Sequence, residues 1–431
     1  MKIAIIGSGF TGLAAGYKLS KEGHDVTVIE KDPHTGGLAS SFPVGNDNLD
    51  SFYHHIFITD SYLLDLAREL NLEDKINWYE PKNAIFLDNR LYPFTTPMDL
   101  LLFKPIGLLS RIRMGLLVLG SKYIKDYKPF ENITAKEWII KRSGRDAYDK
   151  VWGPLLKSKF DLDSDMVSGT WIWNKFKLRG SSRGKSKVKE LLGYMDGGFA
   201  VLADTLAEKI RNKNGAFCLN TTVKEIRKTT EGKWEVITDN ESKLFDRILF
   251  AAAPELLAKI CPELPQDYKK SLETIKYKAN LCLTLELTKS LSPYYWITIS
   301  QKGLPFVLII EHTNLVGLRN YGSRIVYLSR YIDASDPFYS ASDEAIANSF
   351  LKGLKKIFPS FKEDMIIKAT LNRARFAQPV STLGYGERIP DIKTCESGLY
   401  LASMAQIYPE DRGLNYAIKL GYKAADIIIG G

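Results

Sequence analysis

The stretch Lys2-Ile3-Ala4-Ile5-Ile6-Gly7-Ser8-Gly9-Phe10-Thr11-Gly12, with Asp25-Val26-Thr27-Val28-Ile29-Glu30 after it, decides the fold. The apolar run Ile3 to Ile6 suits a buried parallel strand. The segment from Gly12 to Lys21 carries helix formers, and Asp25 to Ile29 is rich in β-branched residues. Together they predict a βαβ unit starting at residue 2. Its turn reads GxGxxG. Gly7 permits the tight turn, Gly9 lets the backbone approach a pyrophosphate, and Gly12 lets helix and strand pack closely. Ser8, Phe10 and Thr11 complete the turn, whose amides and helix N-terminus face negative charge. Glu30 ends the second strand, where a carboxylate can accept both hydroxyls of an adenosine ribose. The unit therefore predicts a dinucleotide site.

The flanking sequence narrows the choice of dinucleotide. Lys31-Asp32-Pro33-His34-Thr35-Gly36-Gly37-Leu38 follows the acid directly. The Gly36-Gly37 pair brings a second backbone segment to the ligand, a feature an NAD dehydrogenase does not need. Here the sequence resembles the flavin amine oxidase group, with its protoporphyrinogen oxidases and phytoene desaturases and, more distantly, the UDP-galactopyranose mutases. Further blocks carry the resemblance: Met195-Asp196-Gly197-Gly198-Phe199, the strand from Val223, Ala252-Ala253-Pro254, and Glu410-Asp411-Arg412-Gly413-Leu414-Asn415-Tyr416-Ala417. It implies non-covalent FAD held by Gly7 to Gly12, Glu30, Lys31, Gly36, Gly37, Leu38, Val223 and Arg412 to Asn415. The backbone of Val223 would meet the adenine. The helix after Gly413 would point its positive end at the flavin's pyrimidine side. Two departures stand out. Ser403-Met404 replaces the family's Gly-Asp, which removes its usual ribityl contact. No Cys lies between Ala402 and Arg412, which excludes a thioether to the flavin.

On the substrate side, His55 sits in Tyr53-His54-His55-Ile56-Phe57, similar to a segment beside the flavin in the mutases. It is a candidate to hydrogen-bond the flavin or move a proton. Arg375 and Tyr385 are the other candidates, from the stretch that enters the pocket in the family. Each of these three could equally be scaffold. Trp171, Trp173 and Tyr294-Tyr295-Trp296 are either pocket lining or core.

Composition sets outer limits. In 431 residues, hydrophobic residues are 45% and charged residues 25%, which fits a globular chain with room for two domains. The 59 Lys and Arg against 50 Asp and Glu give +9, a mild excess that admits an anionic partner and does not point to nucleic acid. The four cysteines form no CxxC pair, so neither a metal site nor a disulfide framework is expected, and a reducing, cytoplasmic setting follows. A strand at residue 2 leaves no room for a signal peptide. Leu100 to Lys128 holds six Lys or Arg and one Asp among many apolar residues. It reads as a peripheral membrane contact or as buried helices with basic ends. Lys175 to Lys189 holds seven Lys or Arg and no acid. It reads as a grip for a phosphate or head group, or as a solvated loop.

The expected fold is α/β: a discontinuous, two-dinucleotide-binding (Rossmann-type) FAD domain with a mixed α+β substrate domain. Residues 1–80, 193–270 and 375–431 are assigned to the FAD domain, 81–192 to the helical part of the substrate domain and 271–374 to its sheet. The resemblance implies an FAD-dependent oxidoreductase that moves hydride from a small organic or lipid-like substrate, phosphorylated or lipid-linked, to flavin N5. The alternative is a flavin-dependent nucleotide-sugar isomerase like UDP-galactopyranose mutase.

Overall fold

The computed structural model describes residues 1–181 and 190–431. Positions 182–189, most of the second basic run, lie outside the described residues. The opening unit forms as its pattern predicts: β1 (Lys2–Ile6), α1 (Phe10–Lys21) and β2 (Asp25–Ile29). β1 is central in a five-stranded parallel sheet ordered Ala216–Cys218, β2, β1, Arg247–Phe250, Leu399–Leu401. One sheet thus draws strands from both ends and the middle of the chain. Ile3, Ile5, Val26 and Val28 are buried on one face and Ala4, Ile6 and Ile29 on the other, as a parallel sheet covered on both faces requires. The hairpin Val223–Lys228 and Trp234–Thr238 gains a third strand, Ser242–Phe245, that the sequence pattern does not announce.

A second sheet has seven strands ordered Ile366–Pro379, Tyr277–Leu287, Arg324–Ile332, Leu308–Glu311, Trp296–Ile299, Asn83–Leu87 and Arg90–Pro93. Helix Asp343–Ile357 packs on one face of it through Ile346, Phe350 and Leu354. A helical layer follows Arg90–Pro93 and holds its own core, centred on Trp138, Trp152, Trp173 and Phe176. Pro105 divides the apolar run after Leu100 into helices Pro97–Leu102 and Leu108–Ser121.

The two chain ends meet where α1 crosses the last helix, Leu414–Gly430. A Cβ on Gly421 would stand 2.4 Å from the Thr11 carbonyl oxygen and 2.9 Å from Ala14 Cβ. Only a bare Cα allows this approach, and it keeps the final helix against the first turn of α1. The sheet of strands 366–379 to 90–93 is tied to the N-terminal region through Asp50. Its backbone carbonyl accepts from the Tyr327 hydroxyl at 2.7 Å, and its carboxylate accepts from the Phe199 N–H and the Ser41 hydroxyl, each at 3.1 Å. Asp50 is fully buried, and burial raises its carboxyl to about 7 against those hydrogen bonds.

Two stability measurements follow. Gly421→Val should cost about 1–3 kcal/mol in denaturant unfolding, the ordinary cost of overpacking. The folded state holds the Asp50 proton up to a pKa of about 7, while an unfolded Asp loses its proton near pH 4. Wild-type stability therefore falls through this window as pH rises. Asp50→Asn, which cannot titrate, should gain stability relative to wild type from about pH 4 to about pH 7. A constant difference across that window would show that Asp50 does not carry the effect.

Candidate active site

The dinucleotide cradle lies at the C-terminal ends of β1, β2 and Arg247–Phe250, the usual position for a ligand in an open parallel sheet. Gly9 precedes α1, and no side chain caps the helix start, so the first-turn amides of Phe10, Thr11 and Gly12 remain available to an anion. A Cβ on Gly9 would meet nothing within 4 Å, so open space lies above it. At Gly12 the reverse holds: a Cβ there would stand 2.1 Å from the Gly7 carbonyl oxygen. The turn is thus closed toward the sheet and open toward a ligand. Gly36 N–H donates to the Ser8 carbonyl at 2.9 Å, which lays the second Gly-Gly segment alongside the first turn. Leu38 follows it, half-buried.

Glu30 accepts from Ser8 N–H at 2.7 Å, from the Ser8 hydroxyl at 2.9 Å and from Asp32 N–H at 3.1 Å. It is 8% exposed, so it is fixed yet reachable, and its carboxylate retains acceptor capacity for ribose hydroxyls. Lys31 points into solvent and pairs only loosely with Asp32, at 3.8 Å. The backbone from Cys218 to Val223 runs past Glu30, with Glu30 N–H donating to Cys218 O and Thr221 N–H to Glu30 O, each at 2.9 Å. Val223 follows two residues after Thr221 and opens the strand Val223–Lys228. These features fit an adenosine diphosphate moiety.

At the other end, Gly413 starts the helix Leu414–Gly430 without a side-chain cap. Leu414 and Asn415 are buried in its first turn, and Asn415 Oδ1 accepts from Leu63 N–H at 3.1 Å. Just before them stands a charged hub that sequence reasoning missed. Asp411, 5% exposed, accepts from Lys159 at 2.9 Å, Lys175 at 2.6 Å, Trp171 Nε1 at 3.0 Å and Gln378 Nε2 at 3.1 Å. Burial works to raise its carboxyl, but Lys159, Lys175 and Arg412 outweigh burial and hold it well below the usual carboxylate range. Arg412 donates to Gln378 Oε1 at 2.9 Å and to the Tyr331 hydroxyl. The one available sequence signal was the Asp411-Arg412 pair, and its partners lie up to 252 residues away.

The substrate-side candidates separate. Tyr53 and Trp296 meet edge to face at 5.5 Å, and the His55 ring sits 5.9 Å from Trp296 with Nδ1 3.3 Å from the Tyr295 hydroxyl. These rings gather where the Trp296–Ile299 strand and the N-terminal region meet, and Tyr53, His54, His55 and Trp296 are each only half-buried despite their interior position. His54 is the better-defined histidine. Its Nδ1 lies 2.6 Å from the Phe52 carbonyl, which can only accept, so Nδ1 carries the proton and Nε2 is left as an acceptor. Burial and then the Arg412 charge push His54 down to about 4, so it is neutral at pH 7.

Two candidates fall outside this group. Arg375 is exposed, with its guanidinium over its own neighbour Phe376. It keeps the alternation of its strand, exposed like Arg373 two residues before it while Ala374 and Phe376 turn to the other side. Tyr385 is buried, and its hydroxyl donates to the Ala405 carbonyl at 2.8 Å. It braces the 404–406 turn rather than offering a free hydroxyl. Trp171 belongs to the site through Asp411, whereas Trp173, two residues on, stacks on Phe130 in the helical core.

Comparison with known proteins agrees with this geometry. Residues 10–429 match the family of flavin-containing amine oxidoreductases. The zeta-carotene desaturase of Synechocystis sp. is 22% identical over 410 residues, which cover 84% of this chain and 83% of that protein. Plant zeta-carotene desaturases match over 42–53% of their own length. Among solved structures, a protoporphyrinogen oxidase-like protein from Exiguobacterium sp. aligns over 100% of this chain and 99% of its own, at TM-score 0.80 and 18% identity. Cyclohexylamine oxidase from Brevibacterium oxydans aligns over 100% and 98%, at TM-score 0.73 and 16% identity. At such identities these two likenesses speak to the fold. With the family match spanning nearly the whole sequence and a cradle of the right chemistry at its N-terminus, the chain belongs to the flavin-containing amine oxidoreductases and is an FAD-dependent oxidoreductase.

Proposed function

We propose that this oxidoreductase dehydrogenates a neutral, largely apolar substrate, of the polyprenoid kind, in the aromatic chamber beside Arg412. When bound, FAD supplies a hydride acceptor at N5. Glu30, Ser8 and the uncapped start of α1 would hold its adenosine diphosphate moiety, and the uncapped start of the helix after Gly413 would offer positive charge to the flavin. Tyr53, His55 and Trp296 supply apolar walls that exclude water.

The observation that carries the substrate class is the state of the buried acids near the chamber. Asp411 is already engaged by four donors, and Asp60 accepts from the Phe57 N–H at 2.8 Å. Asp411 is therefore not left to recognise a substrate ammonium, and Arg412 adds positive charge that repels one. Arg412 is itself held by Gln378 and Tyr331, and Arg375 points outward, so the arginines that a nucleotide sugar would need are committed elsewhere. The similarity to a carotene desaturase over four-fifths of its length supports the same reading.

Glu30→Ala should weaken FAD binding by at least about tenfold, since each charged hydrogen bond contributes about 1.5–3 kcal/mol and tenfold corresponds to about 1.4 kcal/mol. Lys31→Ala should leave it nearly unchanged. Titration of apoprotein with FAD distinguishes the two, and equal losses would remove Glu30 from the ribose site. For the substrate, anaerobic stopped-flow should show bleaching of the bound flavin by polyprenoid hydrocarbons. Bleaching by amines or porphyrinogens alone, or turnover of sugar nucleotides without net reduction, would replace the proposed class.

A further inference from the structure

The helices Pro97–Leu102 and Leu108–Ser121 expose large apolar side chains to an extent unlike any other part of the described surface. Leu102 is 64% exposed, Leu109 68%, Leu116 64% and Tyr123 74%. Met98, Leu101, Leu108, Ile112 and Leu119 are exposed between them. Along the second helix the exposed positions 108, 109, 112, 116 and 119 follow a helical period and form one stripe. The opposite side of that helix is already occupied: Met114 and Ser121 are buried, and Leu117 and Val118 pack on the helical core. The stripe is therefore surplus to the core. A monomeric protein seldom leaves more than a few hundred Å² of contiguous apolar surface in water.

The charge around the stripe identifies what covers it. Lys104, Lys122, Lys125 and Lys128 are exposed, Arg111 and Arg113 lie along the helix, and Asp126 is the single acid between positions 100 and 128. A second copy using the same patch would set these cations against each other across a two-fold axis. A bilayer with acidic head groups meets both requirements: it takes up apolar side chains without needing a matching shape, and it attracts the surrounding lysines. Tyr123 has the amphipathic ring that settles at head-group level. A mostly apolar cleft of about 340 Å³ opens beside the stripe, lined by Leu116, Ile124, Phe130 and Trp138 and by Arg113 and Arg142. Apolar walls beside the exposed Arg142 suit an acyl chain and its phosphate, while Arg113 is turned to the Lys141 and Arg142 carbonyls. Among the described residues no helix is long and apolar enough to cross a membrane, so the contact is with one leaflet.

We infer that residues 97–128 form a docking face for an anionic phospholipid membrane, with the stripe of the helix Leu108–Ser121 immersed in the leaflet. The inference goes beyond the proposed substrate and does not depend on it. The test is flotation of the FAD-loaded full chain with vesicles of phosphatidylcholine alone or mixed with phosphatidylglycerol. Binding should require phosphatidylglycerol and should weaken with salt, because surface attraction is screened over about 8–10 Å at physiological ionic strength. The variant Leu109→Glu/Leu116→Glu changes only exposed side chains. It should keep its flavin spectrum and lose vesicle binding by about tenfold or more, as should Lys104→Glu/Lys122→Glu/Lys125→Glu. Absence of binding to phosphatidylglycerol vesicles at low salt would overturn the inference. So would unchanged binding by the leucine variant. Self-association in sedimentation velocity that the leucine variant abolishes, with no vesicle binding, would assign the face to a second copy instead.

Discussion

A carboxylate taken out of water must find donors, and Asp411 finds four. Lys159, Trp171 and Lys175 come from the helical layer, and Gln378 comes from the last strand of the seven-stranded sheet. Asp411 itself stands three residues before the final helix. One buried acid thus joins three regions that are far apart in sequence. Removing one partner of a buried ionic group commonly costs about 3–5 kcal/mol, because the other is left uncompensated. The position of Arg412, held by Gln378 and Tyr331, follows from this hub.

The hub also shapes the electrostatics around the chamber. Arg412 helps keep His54 neutral, while burial supplies the larger part of that effect. Asp411 stays ionised despite its burial because its cations outweigh the desolvation. A site built this way offers hydrogen-bonded rigidity and apolar walls rather than a poised acid and base. That suits chemistry in which the cofactor performs the difficult step and the protein positions the substrate and excludes water.

The docking face and three partners of Asp411 belong to one structural layer. Phe130 and Trp138 line the outer cleft, Phe130 stacks on Trp173, and Trp171, on the same helix as Trp173, reaches inward to Asp411. The helical layer therefore has an apolar outer surface and a polar, tightly bonded inner one. A protein that handles an apolar substrate gains from such an arrangement, since the surface facing the lipid and the surface facing the chemistry have opposite requirements.

The sequence by itself determined the βαβ unit, the GxGxxG turn, Glu30 and the Gly36-Gly37 segment. These act through neighbours a few residues apart, and their steric demands are written in glycine spacing and strand pattern. The tertiary structure alone decided which polar residues face inward. Arg375 and Tyr385 could each be pocket or scaffold by sequence; in the fold Arg375 lies on the exposed side of its strand and the Tyr385 hydroxyl meets the Ala405 carbonyl. Asp411 meets Trp171 across 240 positions. No local period encodes such a pairing, because it arises only when packed elements exclude water and leave a buried charge to be satisfied by whatever donors the fold has brought there.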